Sequence, residues 1–235
     1  MFTGPRVTIR VGDTPDNEFH VSKEIICSQS PYFAKLLTAD HLTENLEIVV
    51  TVAEIEGIVS FKNMKTLIQW LYRGTVEFGY STPEEEISEI LEFTRLAHMF
   101  GILQDVEKAM ASRIREIILT ALVGNSVKSN HPHLDILKPV EHNYGILATH
   151  IRIEHTHTAS ELPRECGVRK VLAAASVEGY LRNFPPVPWH GLGDTSSFTV
   201  DLMQQVKLAL MTLQKAPPEG VGVIGYFRDP IIESS

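Results

Sequence analysis

The residues of this chain that could do chemistry gather in its second half. His131 and His133 stand two apart, as do His155 and His157, with His142 and His150 between the pairs. Two imidazoles at that spacing suit zinc only where the backbone turns both rings to one side. A strand does this and a helix does not. His155 and His157 would converge only on extended backbone, and the nearby carboxylates, Glu154 and Glu161, lie at no regular ligand spacing. The histidines are read as surface residues of polar loops, and no metal site is assigned. Cys27 follows Ile25-Ile26 on an apolar stretch with no activating base beside it, so it reads as a core thiol and not a nucleophile. Gly220-x-Gly222-x-x-Gly225 spells the dinucleotide fingerprint, which needs a strand before it and a helix after it. Pro217-Pro218 and Pro230 forbid both. G-x-S-x-G, H-E-x-x-H, Walker A and EF-hand patterns do not occur. The chain is expected not to be an enzyme, with no catalytic residue, cofactor or metal.

The periodicity predicts elements chiefly in the first half. Val7, Ile9 and Val11 alternate with polar residues, as do Phe19 and Val21, and a Gly-Asp-Thr-Pro-Asp-Asn turn separates them. This predicts a β-hairpin. A short helix over Glu24 to Cys27 follows, then one capped by Ser30 with Pro31 at its first position and Phe33, Leu36 and Leu37 inward. Leu46 to Val52 predicts a strand, with short ones near Ile58-Val59 and Val76 to Phe78. Helices are predicted over Phe61 to Tyr72, stopped by Gly74, from Pro83 behind a Thr82/Glu85 capping box, and from Leu103 to Ala121. Gly124 to Pro139 is rich in turn formers. Beyond it, Tyr144 to Ile153 reads as helix or strand, and Val168 to Asn183 and Asp201 to Lys215 read as helices. Pro217 to Ser235 reads as an extended tail.

Charge excludes one class of partner. Residues 1–120 hold 11 Lys and Arg against 18 Asp and Glu, an acidic half that would repel a phosphate backbone. Neither nucleic acid nor a membrane is an expected partner. Two cysteines make no disulfide framework for 235 residues, Met1 to Arg6 carries no secretory pattern, and no Asn has the N-x-Ser/Thr context. The expected location is cytoplasm or nucleus.

Three blocks narrow the fold. Phe19 to Phe33, ending Ser-Pro-Tyr-Phe, resembles the signature of the BTB/POZ family. Leu67 to Gly74, closing Leu-Tyr-Arg-Gly, is similar to that family's later helix, and Leu91 to Ile102 to the helices that follow. The resemblance implies an α+β fold, with a small sheet flanked by helices, over residues 5–122. A linker over 123–140 and a mainly helical extension over 141–235 complete the organisation. Leu162 to Leu181 resembles the C-terminal extensions of fungal BTB proteins. Ser22 departs from the family, which has His at this strand-to-helix corner, a change expected to cost packing.

The resemblance also implies function. The family consists of protein–protein interaction modules, and some members are adaptors that join a client to a cullin-based ubiquitin ligase. Their hydrophobic-x-Glu motif corresponds here to Leu42-Thr43-Glu44, so Leu42 and Glu44 are the cullin-binding candidates. An apolar anchor would fill a pocket while the carboxylate fixes its orientation. The family's self-association surface corresponds to Val7, Ile9, Ile25 and Ile26, which implies a homodimer, although those residues also suit a core. The exchanged N-terminal strand of many members has no counterpart ahead of Arg6, so a strand-swapped dimer is not expected. The alternative to the adaptor is a homo-oligomerising scaffold with no ligase role.

Overall fold

The structure, a computed structural model, describes residues 5–14, 16–39, 48–79, 82–128, 150–182 and 196–215. The described residues fall into two compact units. One draws on Met1–Ser81 and Ser88–Glu107, the other on Thr82–Ile87 and Lys108–Ser235.

The first unit is built on a three-stranded sheet. β1 (Arg6–Val11) and β2 (Glu18–Ser22) form the antiparallel hairpin that the alternation predicts, with Val7 opposite Val21 and Ile9 opposite Phe19. The turn closes through Val11 N–H donating to the Asn17 carbonyl at 2.9 Å. β3 (Ile48–Val52) lies parallel to β1 on its other side, giving the order β2-β1-β3. Parallel neighbours need a long crossover. The chain uses β2, α1 (Lys23–Gln29) and α2 (Pro31–Ala39) within it. β1 is therefore the central strand, and Val7, Ile9 and Val11 are buried along one side. Thr8, on the other side, is buried too, its hydroxyl 2.9 Å from His20 Nδ1.

The helix signals work locally. In α3 (Phe61–Arg73), Ser60 Oγ accepts from Asn63 N–H at 3.1 Å, and Gly74 ends the helix at φ 67°, a left-handed conformation that glycine adopts without strain. α4 (Pro83–Met99) opens with the capping box: Thr82 N–H donates to the Glu85 carboxylate at 3.1 Å, and Glu85 N–H donates to Thr82 Oγ1 at 3.3 Å. α5 (Gln104–Lys128) buries Val106, Met110, Ile114 and Ile117. In the second unit, α6 (Ile153–Ser160), α7 (Gly167–Arg182) and α8 (Ser196–Lys215) pack on one another.

Several expectations need correction. Val76 to Phe78 joins no strand, and near Ile58-Val59 there is only a single bridge between Ile55 and Val59. α5 runs through Gly124-Asn125-Ser126 to Lys128, so the linker predicted from residue 123 starts as helix. Weak helix formers do not stop a helix without a cap to end it. α8 begins at Ser196 rather than Asp201, because Phe198 and Leu202 already form a buried i, i+4 pair. The rest of the linker, residues 144–149 and the Pro217 to Ser235 tail lie outside the described residues. Ser22 is buried, and its hydroxyl has no hydrogen-bond partner among the described residues. To the packing cost expected of this substitution it adds an unpaired buried polar group, of order 1–3 kcal/mol.

Candidate interaction surface

α1 and α2 hold the signature residues, and hydrogen bonds fix both within the first unit. Gln29 Nε2 donates to the Leu71 carbonyl at 2.9 Å, and Ser22 N–H donates to the Tyr72 hydroxyl at 2.8 Å. Ser30 Oγ donates to the buried Phe100 carbonyl at 2.6 Å and accepts from Phe33 N–H at 3.3 Å, which caps α2. Phe33 and Phe100 pack with ring centroids 4.8 Å apart. At Gly101, φ is 71°, and an added Cβ would stand 3.3 Å from Pro31 Cδ. The Ser-Pro-Tyr-Phe block therefore docks α2 against the end of α4.

This docking leaves one side of α2 outward. Tyr32 and Leu36, four residues apart, are 42% and 38% exposed, while Phe33 and Leu37 are buried. Leu36 was expected inward with its neighbours, and periodicity alone misplaces it because the apolar stripe is wider than the buried one. Leu42 and Glu44 lie outside the described residues, in the segment between Ala39 of α2 and Ile48 of β3. The four self-association candidates are spent on the domain's interior. Val7 and Ile9 are fully buried, and Ile26 and Ile25 are 1% and 8% exposed. What α1 shows to solvent is Glu24, Ser28 and Gln29, a polar face.

The histidines resolve differently from their spacing. α6 is helical, so His155 is buried and His157 exposed, and the two rings do not share a side. His155 Nδ1 accepts from Arg152 N–H at 3.0 Å. Burial, joined by the Arg152 charge, holds this imidazole below its usual value, against the pull of Glu154 and Glu84. Burial likewise lowers His98, opposed by Glu107. His150 Nδ1 lies 2.6 Å from Glu84 Oε1, a pairing across 66 positions that no local pattern announces. Burial pushes Glu84 upward, but the hydrogen bond and charge of His150, with Arg152, hold it below the ordinary carboxylate range. His131, His133 and His142 lie outside the described residues, as does Gly220 to Gly225. Burial raises the Cys27 thiol above its usual value despite Lys23, the reverse of what a nucleophile needs.

These shifts set a pH dependence. His98 and His155 bind protons more readily unfolded than folded, so stability falls as pH drops below about 6.5. Glu84 adds a loss below its unfolded value, near pH 4.5. The melting temperature should therefore decline from about pH 7 to about pH 5, and His155→Gln should flatten that decline. Differential scanning fluorimetry across the range checks it, and an unchanged slope in His155→Gln would remove His155 from the account.

Comparison with protein-family models matches residues 6–115 to the BTB/POZ domain. A comparison with curated proteins finds no match. The matched span begins at β1 and ends within α5, and it covers the hairpin, the Ser-Pro-Tyr-Phe junction and the capped helices described above. No helix of the described residues is long and apolar enough to cross a membrane. Over residues 6–115 the chain is a BTB/POZ domain of α+β fold, a protein–protein interaction module.

Proposed function

We propose that the protein is a non-catalytic adaptor, in which the BTB/POZ domain binds a cullin scaffold and the C-terminal helices present a client for ubiquitination. The observation that carries this reading is the BTB/POZ match over residues 6–115. Two features support it. Leu42-Thr43-Glu44 follows α2 in the sequence after Asp40 and His41, and α2 itself displays Tyr32 and Leu36 outward, an apolar surface open to a partner. Anchor residues of this kind supply most of an interface's energy. Self-association belongs to the same reading, although not through Val7, Ile9, Ile25 and Ile26, whose side chains are buried. A homo-oligomeric scaffold without a ligase role is the alternative. We place the protein in cytoplasm or nucleus, which a fluorescent fusion tests.

The cullin reading has a direct measurement. The full chain should capture a cullin N-terminal domain at micromolar concentrations, and Leu42→Ala with Glu44→Ala should weaken that binding by about 2 kcal/mol or more without changing the melt. Absence of capture by the unaltered chain would sink the adaptor role and leave the scaffold.

A further inference from the structure

The first turn of α6 closes through an imidazole. His155 is 3% exposed, and its Nδ1 accepts from Arg152 N–H at 3.0 Å, so that nitrogen carries no proton. The ring also donates to the main-chain carbonyl of Glu84, in the first turn of α4. One neutral ring therefore caps α6 and pins it to α4. The strap that leads into α6 is held at the same place. Ile151 is buried, and His150 Nδ1 lies 2.6 Å from the Glu84 carboxylate. His150 is also the one non-glycine residue in the left-handed region among the described residues, at φ 57°. Side chains bearing a Cβ disfavour that conformation, so the strap stays in place only while its contacts hold it.

We propose that His155 is the catch of a proton-operated clasp: the neutral ring keeps the strap and the first turn of α6 closed on α4, and protonation in mild acid opens them while the rest of the protein stays folded. Protonation would set an Nδ1–H against the Arg152 N–H, donor facing donor, and the cap would be lost. It would also place a cation at the positive end of the α6 dipole, with the Arg152 charge beside it. The charged groups facing the ring are Arg152 and Glu154 of its own segment and Glu84 of α4. Both carboxylates favour the imidazolium, but Glu84 is already engaged by His150, and burial prevails. Glu86 of α4 is taken by Arg113. Arg169 of α7 and Asp201 of α8 pair with each other at the far end of α6, where Arg169 also meets the Ser160 carbonyl. His150 responds oppositely to His155. Its Nδ1–H serves an ionised Glu84 whether or not the ring is charged, so this contact survives mild acid and acts as the hinge. Opening uncovers Ile151 and loosens the entry to the C-terminal helices. The clasp does not depend on cullin binding.

Amide hydrogen exchange, read residue by residue in the full chain and corrected for intrinsic rates, tests the clasp. The open form binds one proton that the closed form does not. The open population of Arg152 to Thr156 should therefore rise about tenfold from about pH 7.5 to about pH 5.5, while β1 stays unchanged. Single amides are needed because burial also holds His98 below its usual value. His155 stands at the third helical position of α6, where glutamine accepts the same N–H without titrating. His155→Gln should stay closed at both pH values, and His155→Ala should be open at both. Equal protection of Arg152 to Thr156 at both pH values in the unaltered chain would overturn the clasp. So would a change shared equally by β1, which marks global unfolding. A His155→Gln chain that still opens in acid would overturn His155 as the catch, as would a His155→Ala chain that stays closed at neutral pH.

Discussion

Arg169→Met should destabilise the helical unit by about 3–5 kcal/mol, the loss typical of breaking a buried ion pair from one side. Arg169 is 2% exposed near the start of α7. Its Nε donates to Asp201 Oδ2 of α8 at 2.6 Å, and its Nη1 donates to the carbonyls of Ser160 and Leu162 at 2.9 and 2.6 Å. One planar guanidinium thus joins the end of α6, the loop after it, α7 and α8. Methionine keeps most of the side chain's volume and removes all the donors. Asp201 and two carbonyls would then lack their partner in a poorly solvated place. Arg169→Lys should recover only part of the loss, because a point charge cannot serve three acceptors in a fixed fork. Replacing both partners, Arg169→Met with Asp201→Leu, should cost less than Arg169→Met alone, since no uncompensated charge remains. Urea unfolding followed by helical circular dichroism gives the three free energies. A loss under about 1 kcal/mol for Arg169→Met would mean that water or relaxation replaces the network.

That network illustrates where sequence reading stops. Elements governed by neighbours in the chain are legible. Alternation at Val7, Ile9 and Val11 announces β1, Pro31 after Ser30 announces α2, and Thr82 with Glu85 announces α4. Elements governed by distant partners are not. Arg169 finds Asp201 32 positions away and His150 finds Glu84 66 away, and neither pairing leaves a local mark. Burial direction is also non-local. Ile25 and Ile26 form an apolar face that serves equally as core or as interface, and only the packing around β1 decides for core. His155 and His157 needed a strand to converge, and the segment from Ile153 to Ser160 mixes helix and strand formers too evenly for its period to show. α8 hides its buried side for a related reason: Leu208, Ala209, Leu210 and Met211 run on without polar interruption, so pattern cannot separate the inner from the outer face. The BTB/POZ domain was legible because its signature lies at local junctions. The partner-binding candidates were legible only through the resemblance, and Leu42 and Glu44 lie outside the described residues.

One such junction should carry the largest loss in the first unit. Phe100→Ala should destabilise it by about 3–5 kcal/mol, through lost burial together with the cavity left behind. Phe100 is fully buried, 4.8 Å from the Phe33 ring and 5.2 Å from the Tyr32 ring. Its backbone carbonyl also receives the Ser30 hydroxyl, so ring and main chain both hold the start of α2. The two contributions separate by mutation. Ser30→Ala leaves the Phe100 carbonyl without its donor and Phe33 N–H without its cap, a loss of about 1–3 kcal/mol with no cavity. The double variant should lose less than the two single losses added, because alanine at position 100 lets the turn before Gly101 relax onto water. Tyr32→Ala is the necessary contrast. Its ring touches both phenylalanines edge-on yet is 42% exposed, so its removal should cost no more than about 1.5 kcal/mol. If Tyr32 instead anchors a partner, Tyr32→Ala will weaken binding far more than it lowers the melt. Phe100→Ala will do the reverse, losing binding only as the folded population falls. Thermal melts and cullin capture on the same three single variants therefore separate the residues that build the junction from the one that faces outward from it.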